Sequence, residues 1–423
     1  MTFRTRLFFV VVVELCLGSI SLGADHTVWS DLAPEIHGFL EGRAGYRLQN
    51  DLYEKDMSIM ESRYQFDLLS LPDWGAIAVK GDVYGDGVTE RGEFDLREAN
   101  VAFTPLDVLD VKVGRQILTW GKGDLVFIND LFPKDWQSFF IGRDTEYLKA
   151  PSNAVKVGLY TDGVNWEVVY TPRFDQDRLI TGERLSYWNG PAQQIAGQNA
   201  IVSMNRPRRW FQDEEIATRI YKQIHGYDLA LYGYWGYWKS PAGFNAAQTI
   251  AQYPSLDVYG ASAQGSLGRG IVSGEIGYYD SKDDKNGSNG LINNSEMRYL
   301  LGYTQEIGRD FTAGLQYYVE QMLRYQSYMA GIPAGNPHRD EFRHLVTLRL
   351  TKLLMNQNLQ CSFFTYYSPS DEDAYFRPNL HYKVNDQTAL EVGGNIFTGD
   401  KAHTFFGQFE DNSNVYASVR YSF

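Results

Sequence analysis

Cysteine is nearly missing from this chain: it has two in 423 residues, Cys16 and Cys361. Cys16 falls in an N-terminal apolar run, so the mature chain keeps one thiol and can form no internal disulfide. A lone cysteine on a strand, as Cys361 is expected to be, behaves as a small apolar residue. Long apolar runs are missing too. Beyond the N-terminus, no stretch approaches the roughly 20 apolar residues of a membrane helix, and mean hydropathy is negative. That excludes a helical membrane protein. It leaves a β-barrel open, because only one side of each barrel strand faces lipid. A basic surface is also missing: 39 Lys and Arg stand against 52 Asp and Glu, a net charge of −13. Nucleic acid is therefore not an expected partner. The seven histidines are scattered, and no HExxH, GxSxG, CxxCH or Cys/His zinc spacing occurs. His225 and His381 are possible bases, but no serine partner can be named for them. An enzyme is not expected, nor is a cofactor. Asp280, Asp283, Asp284, Asn286 and Asn289 offer hard oxygens of the kind Ca²⁺ takes. Their spacing matches no EF-hand, and no metal site is expected.

What is present begins with an export signal. Arg4 and Arg6 precede an apolar run from Leu7 to Ile20, and Ser21, Gly23 and Ala24 follow. This pattern is a secretory signal peptide over 1–24, cleaved near Gly23 or Ala24. Leu15 stands where a lipoprotein needs a small residue, so no lipid anchor is expected. Export leads to an oxidising compartment, where this chain does without disulfide staples. Aromatic residues make up 15%, with 29 tyrosines; Tyr and Trp favour membrane–water boundaries.

Residues 25–423 are dominated by a two-residue period. From His37 to Gln49, one side carries Gly38, Leu40, Gly42, Ala44, Tyr46 and Leu48. The other carries His37, Glu41, Arg43, Arg47 and Gln49, with Phe39 among them. Between Ser58 and Leu68 the outward set is Met60, Tyr64, Phe66 and Leu68, and the inward set is Glu61, Arg63, Gln65 and Asp67. The pattern repeats about 18 times, ending at Val415–Phe423, mostly in segments close to the 9–11 residues of a tilted spanning strand. The connections alternate short and long. Short ones include Leu71-Pro72-Asp73, Thr161-Asp162-Gly163 and His225-Gly226. Long ones are expected near 49–57, 85–93, 117–153, 172–215, 240–255, 281–296, 323–341, 368–374 and 398–414. Outer-membrane barrels have short periplasmic turns and longer outside loops.

The expected fold is therefore all-β: a transmembrane, antiparallel, up-and-down β-barrel of about 18 strands in the Gram-negative outer membrane. A barrel of 16–18 strands leaves an aqueous channel, and unpaired inward charges need water around them. On the last strand Val419, Tyr421 and Phe423 face lipid while Arg420 and Ser422 point inward. A terminal Phe423 closing such a strand is the expected contact for the barrel-assembly machinery. Lipids and lipopolysaccharide are the expected surroundings. Arg206-Pro207-Arg208-Arg209-Trp210, in the longest outside loop, is a basic knot suited to phosphates or incoming anions.

One segment breaks the pattern. Residues 117–153 neither alternate nor turn quickly, and structureless connections this long are uncommon without a function. The segment carries Trp120, Trp136, Phe139 and Phe140. Among them lie Lys122, Asp124, Asp130, Lys134, Asp135, Arg143, Asp144, Glu146 and Lys149. It is expected to fold into the lumen and narrow the bore, its charges facing Glu41, Arg43, Arg63, Asp67 and Arg420 on the wall. Charge rings and constrictions are how pores select. A plug or outer cap held by the aromatics is the alternative.

Gly114-Arg115-Gln116, then Trp120-Gly121, Asp130, Pro133 and Asp135, resemble the GRQ…WG…D…P.D run of a broad family of bacterial outer-membrane channels related to the alginate-export porin group. Leu229-Ala230-Leu231-Tyr232 with Gly236-Tyr237, and the run Leu256 to Ser262, are similar to it as well. The resemblance spans most of the mature chain in short, loosely spaced pieces. It implies an 18-stranded pore with loops in its lumen, and a constriction lined by Arg115, Lys122, Asp124, Asp130, Asp135 and Arg143. Alginate itself is not the expected solute, since a polyuronate conduit should be strongly basic inside and this chain mixes signs. The expected function is a porin: a water-filled channel for small polar or charged solutes, its selectivity set by the inward loop. A structural sheath or assembly barrel around a partner protein is the alternative.

Overall fold

A computed structural model describes residues 34–332 and 335–423. The expected signal peptide, 1–24, lies outside the described residues.

Eighteen strands form one sheet. The first seven are β1 (Glu35–Arg47), β2 (Met57–Ser70), β3 (Gly75–Asp86), β4 (Arg91–Leu106), β5 (Leu109–Ile117), β6 (Pro151–Tyr160) and β7 (Asn165–Thr171). Next come β8 (Glu215–Ile224), β9 (Tyr227–Tyr237), β10 (Ser255–Leu267), β11 (Gly270–Ser281), β12 (Glu296–Gly308) and β13 (Phe311–Met322). The set ends with β14 (Phe342–Leu354), β15 (Leu359–Ser368), β16 (Asp373–Lys383), β17 (Thr388–Gly399) and β18 (Asn414–Ser422). Each strand pairs antiparallel with its neighbours in sequence. The ring closes where β1 meets β18, from Phe39 opposite Ser422 to Arg47 opposite Asn414. Closure removes the free edges that an open sheet would present.

The period of two sorts the side chains as expected. On β1, Leu40, Ala44 and Tyr46 are exposed while Phe39, Glu41, Arg43 and Arg47 are buried. The exposed face bears Leu40, Leu231, Leu301, Leu315 and Val392 in its middle. Aromatic rings flank them: Tyr46, Trp235, Tyr259, Tyr299 and Tyr317 at one end, Trp74, Trp166, Tyr227 and Phe423 at the other. An aliphatic band between two aromatic girdles is the outer surface of a bilayer-spanning barrel. No helix among the described residues is long and apolar enough to cross a membrane.

One end of the barrel, the turn end, has tight connections only, such as 107–108, 225–226 and 309–310. The other, the loop end, has the long segments 118–150, 172–214, 238–254 and 323–341. Two connections expected to be long are instead tight turns, 87–90 and 369–372, because the flanking strands run further than the alternation suggested. At 87–90 the Asp86 carboxylate accepts from the Val88 and Thr89 amides at 2.9 and 3.3 Å, and Glu90 adopts a positive φ. At 369–372 the Ser368 hydroxyl accepts from the Asp371 amide at 3.3 Å, and Glu372 has a positive φ. Side-chain caps thus close both hairpins with polar residues that resemble loop residues in sequence.

Cys361 is a free thiol, half-buried.

Candidate functional site

Segment 118–150 is not structureless. The Asp135 carboxylate accepts from the Ser138 amide at 2.8 Å and starts a short helix, α1 (Trp136–Ile141), which ends at Gly142 with φ +87°. A 3₁₀ turn follows over Thr145–Leu148, started by Asp144 accepting from the Glu146 amide at 3.1 Å. The segment makes its contacts with the inward face of the wall, around most of the ring.

On one side the grip is made of charges. The Arg143 guanidinium donates to Glu61 of β2 at 2.5–3.1 Å. Arg63 holds the same carboxylate at 2.9 Å and Arg184 lies 3.9 Å from it. Glu61 and Arg143 are both buried. Arg43 of β1 donates to the Gly142 carbonyl at 2.6 Å, and Arg420 of β18 pairs with Asp144 at 3.2 Å. The Tyr147 hydroxyl donates to Asp82 of β3 at 2.9 Å, while its ring lies under Arg63 and Arg97. Arg97 in turn donates to the Glu146 and Lys149 carbonyls at 3.1 and 3.3 Å. Apolar packing adds to this. Phe139 and Phe140 meet the Tyr375 ring edge-on at 5.8 and 5.5 Å, and Phe140 also meets Phe397 at 5.4 Å.

On the opposite side the grip is made mostly of neutral donors. Glu275 of β11 accepts from the backbone amide of Lys122, from that of Gly123 at 2.6 Å, and from the Asn129 side chain at 2.8 Å. Gln316 of β13 both accepts from the Asp124 amide, at 2.7 Å, and donates to its carbonyl, at 2.8 Å. The Tyr279 and Tyr366 hydroxyls donate to the Ile128 and Leu125 carbonyls. The wall makes room here with glycine. A Cβ on Gly260 would collide with the Asn129 side chain, and one on Gly277 would sit 2.7 Å from Ile128.

Seven of the residues expected to line a constriction are buried: Glu41, Arg43, Arg63, Asp130, Lys134, Asp135 and Arg143. They serve as clamps. Glu41 takes Arg43 at 3.1 Å and Arg420 at 2.9 Å. Asp130 and Lys134 pair with each other at 3.0 Å. Asp135 meets Arg178, which holds Asp95 in a two-point bond at 2.6 and 2.7 Å. In Arg178, a residue of the 172–214 segment, these carboxylates outweigh burial and raise the pKa above the usual arginine range. Glu61 and Asp135 likewise hold the Arg143 guanidinium firmly charged against its burial. The other six are at least partly open. Asp124 pairs with Arg349 of β14, Lys122 lies 3.8 Å from Asp228, and Asp67 takes Lys80 at 3.3 Å. Asp144 and Arg420 form the pair described above. Arg115 donates to the Leu96 carbonyl at 2.5 Å. Most charges of the segment thus meet partners directly instead of facing the wall across an open gap.

Sequence reasoning missed Glu275, Gln316, Arg349, Arg178 and Arg97 as partners of this segment. Alternation places Glu275 inward, and Gly277 two positions on, paired with Gly260 of β10, is the trace that could have marked a notch. The GRQ…WG pattern has a structural meaning. Gly114 has φ +123° and lies against the Ala99 carbonyl, where only glycine fits. Gln116 donates to the Ala154 carbonyl at 3.0 Å, and Trp120 donates to Glu167 at 3.1 Å.

The turn-end half of the bore differs from the loop-end half. Asp67, Lys80, Glu98, Lys112 and Lys156 point inward, yet keep 22–38% of their side-chain surface open. Above the segment, at the loop end, lies a cavity of about 580 Å³. The basic knot is exposed; Arg209 pairs with Asp213 at 2.9 Å, and Arg173 lies over the Trp210 ring. Among the described residues no group of His, Cys, Asp or Glu gathers to hold a metal. In the 281–296 region Lys282 takes Asp257 and Asp280, and Asp284 accepts from the Asn289 amide.

No family model matches the chain, and no curated protein matches it in sequence. Solved structures do match. OccK11 (OpdR) of Pseudomonas aeruginosa aligns over 92% of this chain and 95% of its own, at 9% identity and TM-score 0.52. OccAB3 of Acinetobacter baumannii aligns over 92% of this chain and 99% of its own, at 11% identity and the same TM-score, 0.52. What is shared is the fold. At such identities the likeness extends no further, and the solute has to be argued from the side chains of this chain.

Proposed function

We propose that the protein is an outer-membrane channel for small solutes, with segment 118–150 as the element that narrows its bore. One observation carries this reading. A ring of 18 strands encloses a polar turn-end half whose inward charges stay open to solvent, below a segment bound to opposite walls. A ring of this size, unlike one of eight strands, is wide enough for water, and inward charges left partly open favour a flooded lumen. On this reading the turns face the periplasm and the loops the outside, after export and loss of 1–24. The outer face meets lipid and lipopolysaccharide, and Phe423, exposed beside Tyr64, is offered to assembly machinery. Kinship with the alginate-export porin group belongs to the same reading, on the strength of Gly114, Arg115, Gln116, Trp120 and Gly121.

The solute passes the charges that remain open: Lys122, Asp124, Asp144, Asp67 and Arg420, with Arg349 and Asp228 as their partners. The buried residues, Arg143 foremost, act through these by holding the segment still. Purified protein in planar bilayers is expected to give discrete conductance steps, and deletion of 122–147 is expected to enlarge them and blur ion preference. Absence of steps above background would overturn the channel. Unchanged conductance after the deletion would overturn the narrowing role.

A second reading, a sheath around a partner protein, draws on the dense aromatic packing at the loop end. It predicts that the barrel co-purifies with a stoichiometric partner and stays closed when alone.

A further inference from the structure

The cavity above segment 118–150 differs in character from the wet half below. Its floor includes Phe127, Phe132 and Trp136, and its sides include Trp188, Trp238 and Phe406. Two loops that border it are stitched to each other and to a third by backbone bonds. Met204–Asn205 pairs with Ala251–Gln252, which pairs with Gly243–Phe244, and Gly243 bridges to Ile292. Its volume, about 580 Å³, falls within the 300–1,000 Å³ of small-molecule sites.

The cations on its lining are already matched. Lys134 donates to the Phe132 carbonyl at 2.7 Å and pairs with Asp130 at 3.0 Å. Lys239 donates to both oxygens of Glu215, at 2.6 and 2.7 Å, and to the Asp175 carbonyl at 3.1 Å. Arg298 holds Glu296 at 2.7 Å and lies over the Tyr279 ring. An anionic solute would find no free countercharge here and would lose its hydration. Two donors are left. Among the described residues, Trp238 Nε1 and Arg343 Nη2 are buried without a hydrogen-bond partner. Both residues line this cavity, and the charge of Arg343 is met by Asp371 at 2.6 Å. Buried donors are rarely left unmatched.

We propose that this vestibule binds an uncharged, ring-bearing solute that carries a hydrogen-bond acceptor, its ring among the aromatic side chains and its acceptor on Trp238 Nε1 or Arg343 Nη2. This inference rests on the channel reading, and names the class of solute that the channel selects.

Single-channel recording of the purified full-length protein, with bare bilayers as control, tests it with three probes: acetophenone, toluene and benzoate. Acetophenone is expected to interrupt the current at a concentration at least about 100-fold below that needed for benzoate, whose charge would go unpaired. Toluene lacks the acceptor and should need about 3- to 10-fold more than acetophenone. Trp238→Phe keeps a ring and removes one donor, so it should narrow that second gap. Benzoate acting at or below the acetophenone concentration overturns the proposal, as does toluene matching acetophenone. A gap untouched by both W238F and R343K overturns the placement of the acceptor. If the protein gives no conductance, the channel reading fails on its own. Calorimetric titration with acetophenone then decides the vestibule, and absence of saturable heat overturns it.

Discussion

Glu61 and Glu275 grip the same segment from opposite sides of the bore, on β2 and β11, half a turn apart in the ring. Their means differ. Glu61 is surrounded by the guanidinium groups of Arg63, Arg143 and Arg184. Glu275 is held by backbone amides and the Asn129 side chain. The first grip is strong because attraction is barely screened once water is gone. It is also brittle. If the Glu61 carboxylate is lost, Arg63 keeps Asp82 and Arg184 keeps Asp86, but Arg143 loses its main counter-ion beside two other cations. The second fixes the path of the backbone at 122–129 and holds no excess charge on the segment. One segment is thus tethered at one side and shaped at the other.

The largest effect is expected from Glu61→Gln. It leaves buried guanidinium groups without their shared counter-ion, which costs about 3–5 kcal/mol in docking of residues 138–147. Trypsin should then cut after Arg143 or Lys149, and conductance should rise. Adding Arg143→Met removes one excess cation and should restore part of the protection at Lys149, the tryptic site that remains. If E61Q is silent in both readouts, the charged grip is not what holds the segment.

Glu275→Gln keeps one acceptor oxygen, and should cost about 1–3 kcal/mol. Hydrogen exchange at the Lys122, Gly123 and Asn129 amides should quicken while 138–147 stays protected. Loss of protection over both regions would mean that the two grips are one unit.

Asp124→Asn touches a pair in which both side chains are more than a third open. Stability should change by about 0–1 kcal/mol. Ion preference should still move toward anions, because Arg349 is left uncompensated; an unmoved reversal potential would take this pair out of the permeation path.

The smallest effect concerns pH and the loop 48–56. Burial pushes the Glu54 carboxyl up from 4.5 to about 7, although Arg47 opposes the shift. Gln198 donates to it at 3.4 Å. A raised carboxyl favours the folded loop when neutral. Its contribution is therefore complete below about pH 4.5 and is lost as pH rises to about 7. Proteolysis of 48–56 should increase across that interval in the native chain and stay flat in Glu54→Gln. A native profile as flat as the variant's would show that Glu54 does not couple to the loop.

The wall was legible because its two faces meet different media. Leu40 and Glu41 cannot exchange places without putting a charge in lipid and an alkyl chain in the lumen, so the period of two survives in the sequence from β1 to β18. The tight turns at 87–90 and 369–372 were harder. A capping Asp86 or Ser368 is composed like any loop residue, and hairpin length is decided by where the caps engage. The segment 118–150 was legible only as an exception. Its aromatic and charged residues were found, but their partners were not: Arg143 meets Glu61 across 82 positions, and Lys122 to Asn129 meet Glu275 across about 150. Burial then divided the charged residues into clamps such as Lys134 and open groups such as Asp124, a division no local pattern carries.

Strand number, closure and the sorting of oily from polar faces follow from the order of residues alone, because each depends on the medium a side chain meets and on neighbours close in sequence. Which carboxylate holds which arginine, where glycine opens a notch for Asn129, and which donors stay unmatched in the vestibule were decided only when distant strands closed into a ring. Hydrogen bonds and ion pairs act over a few ångströms, and only closure brings those groups that near.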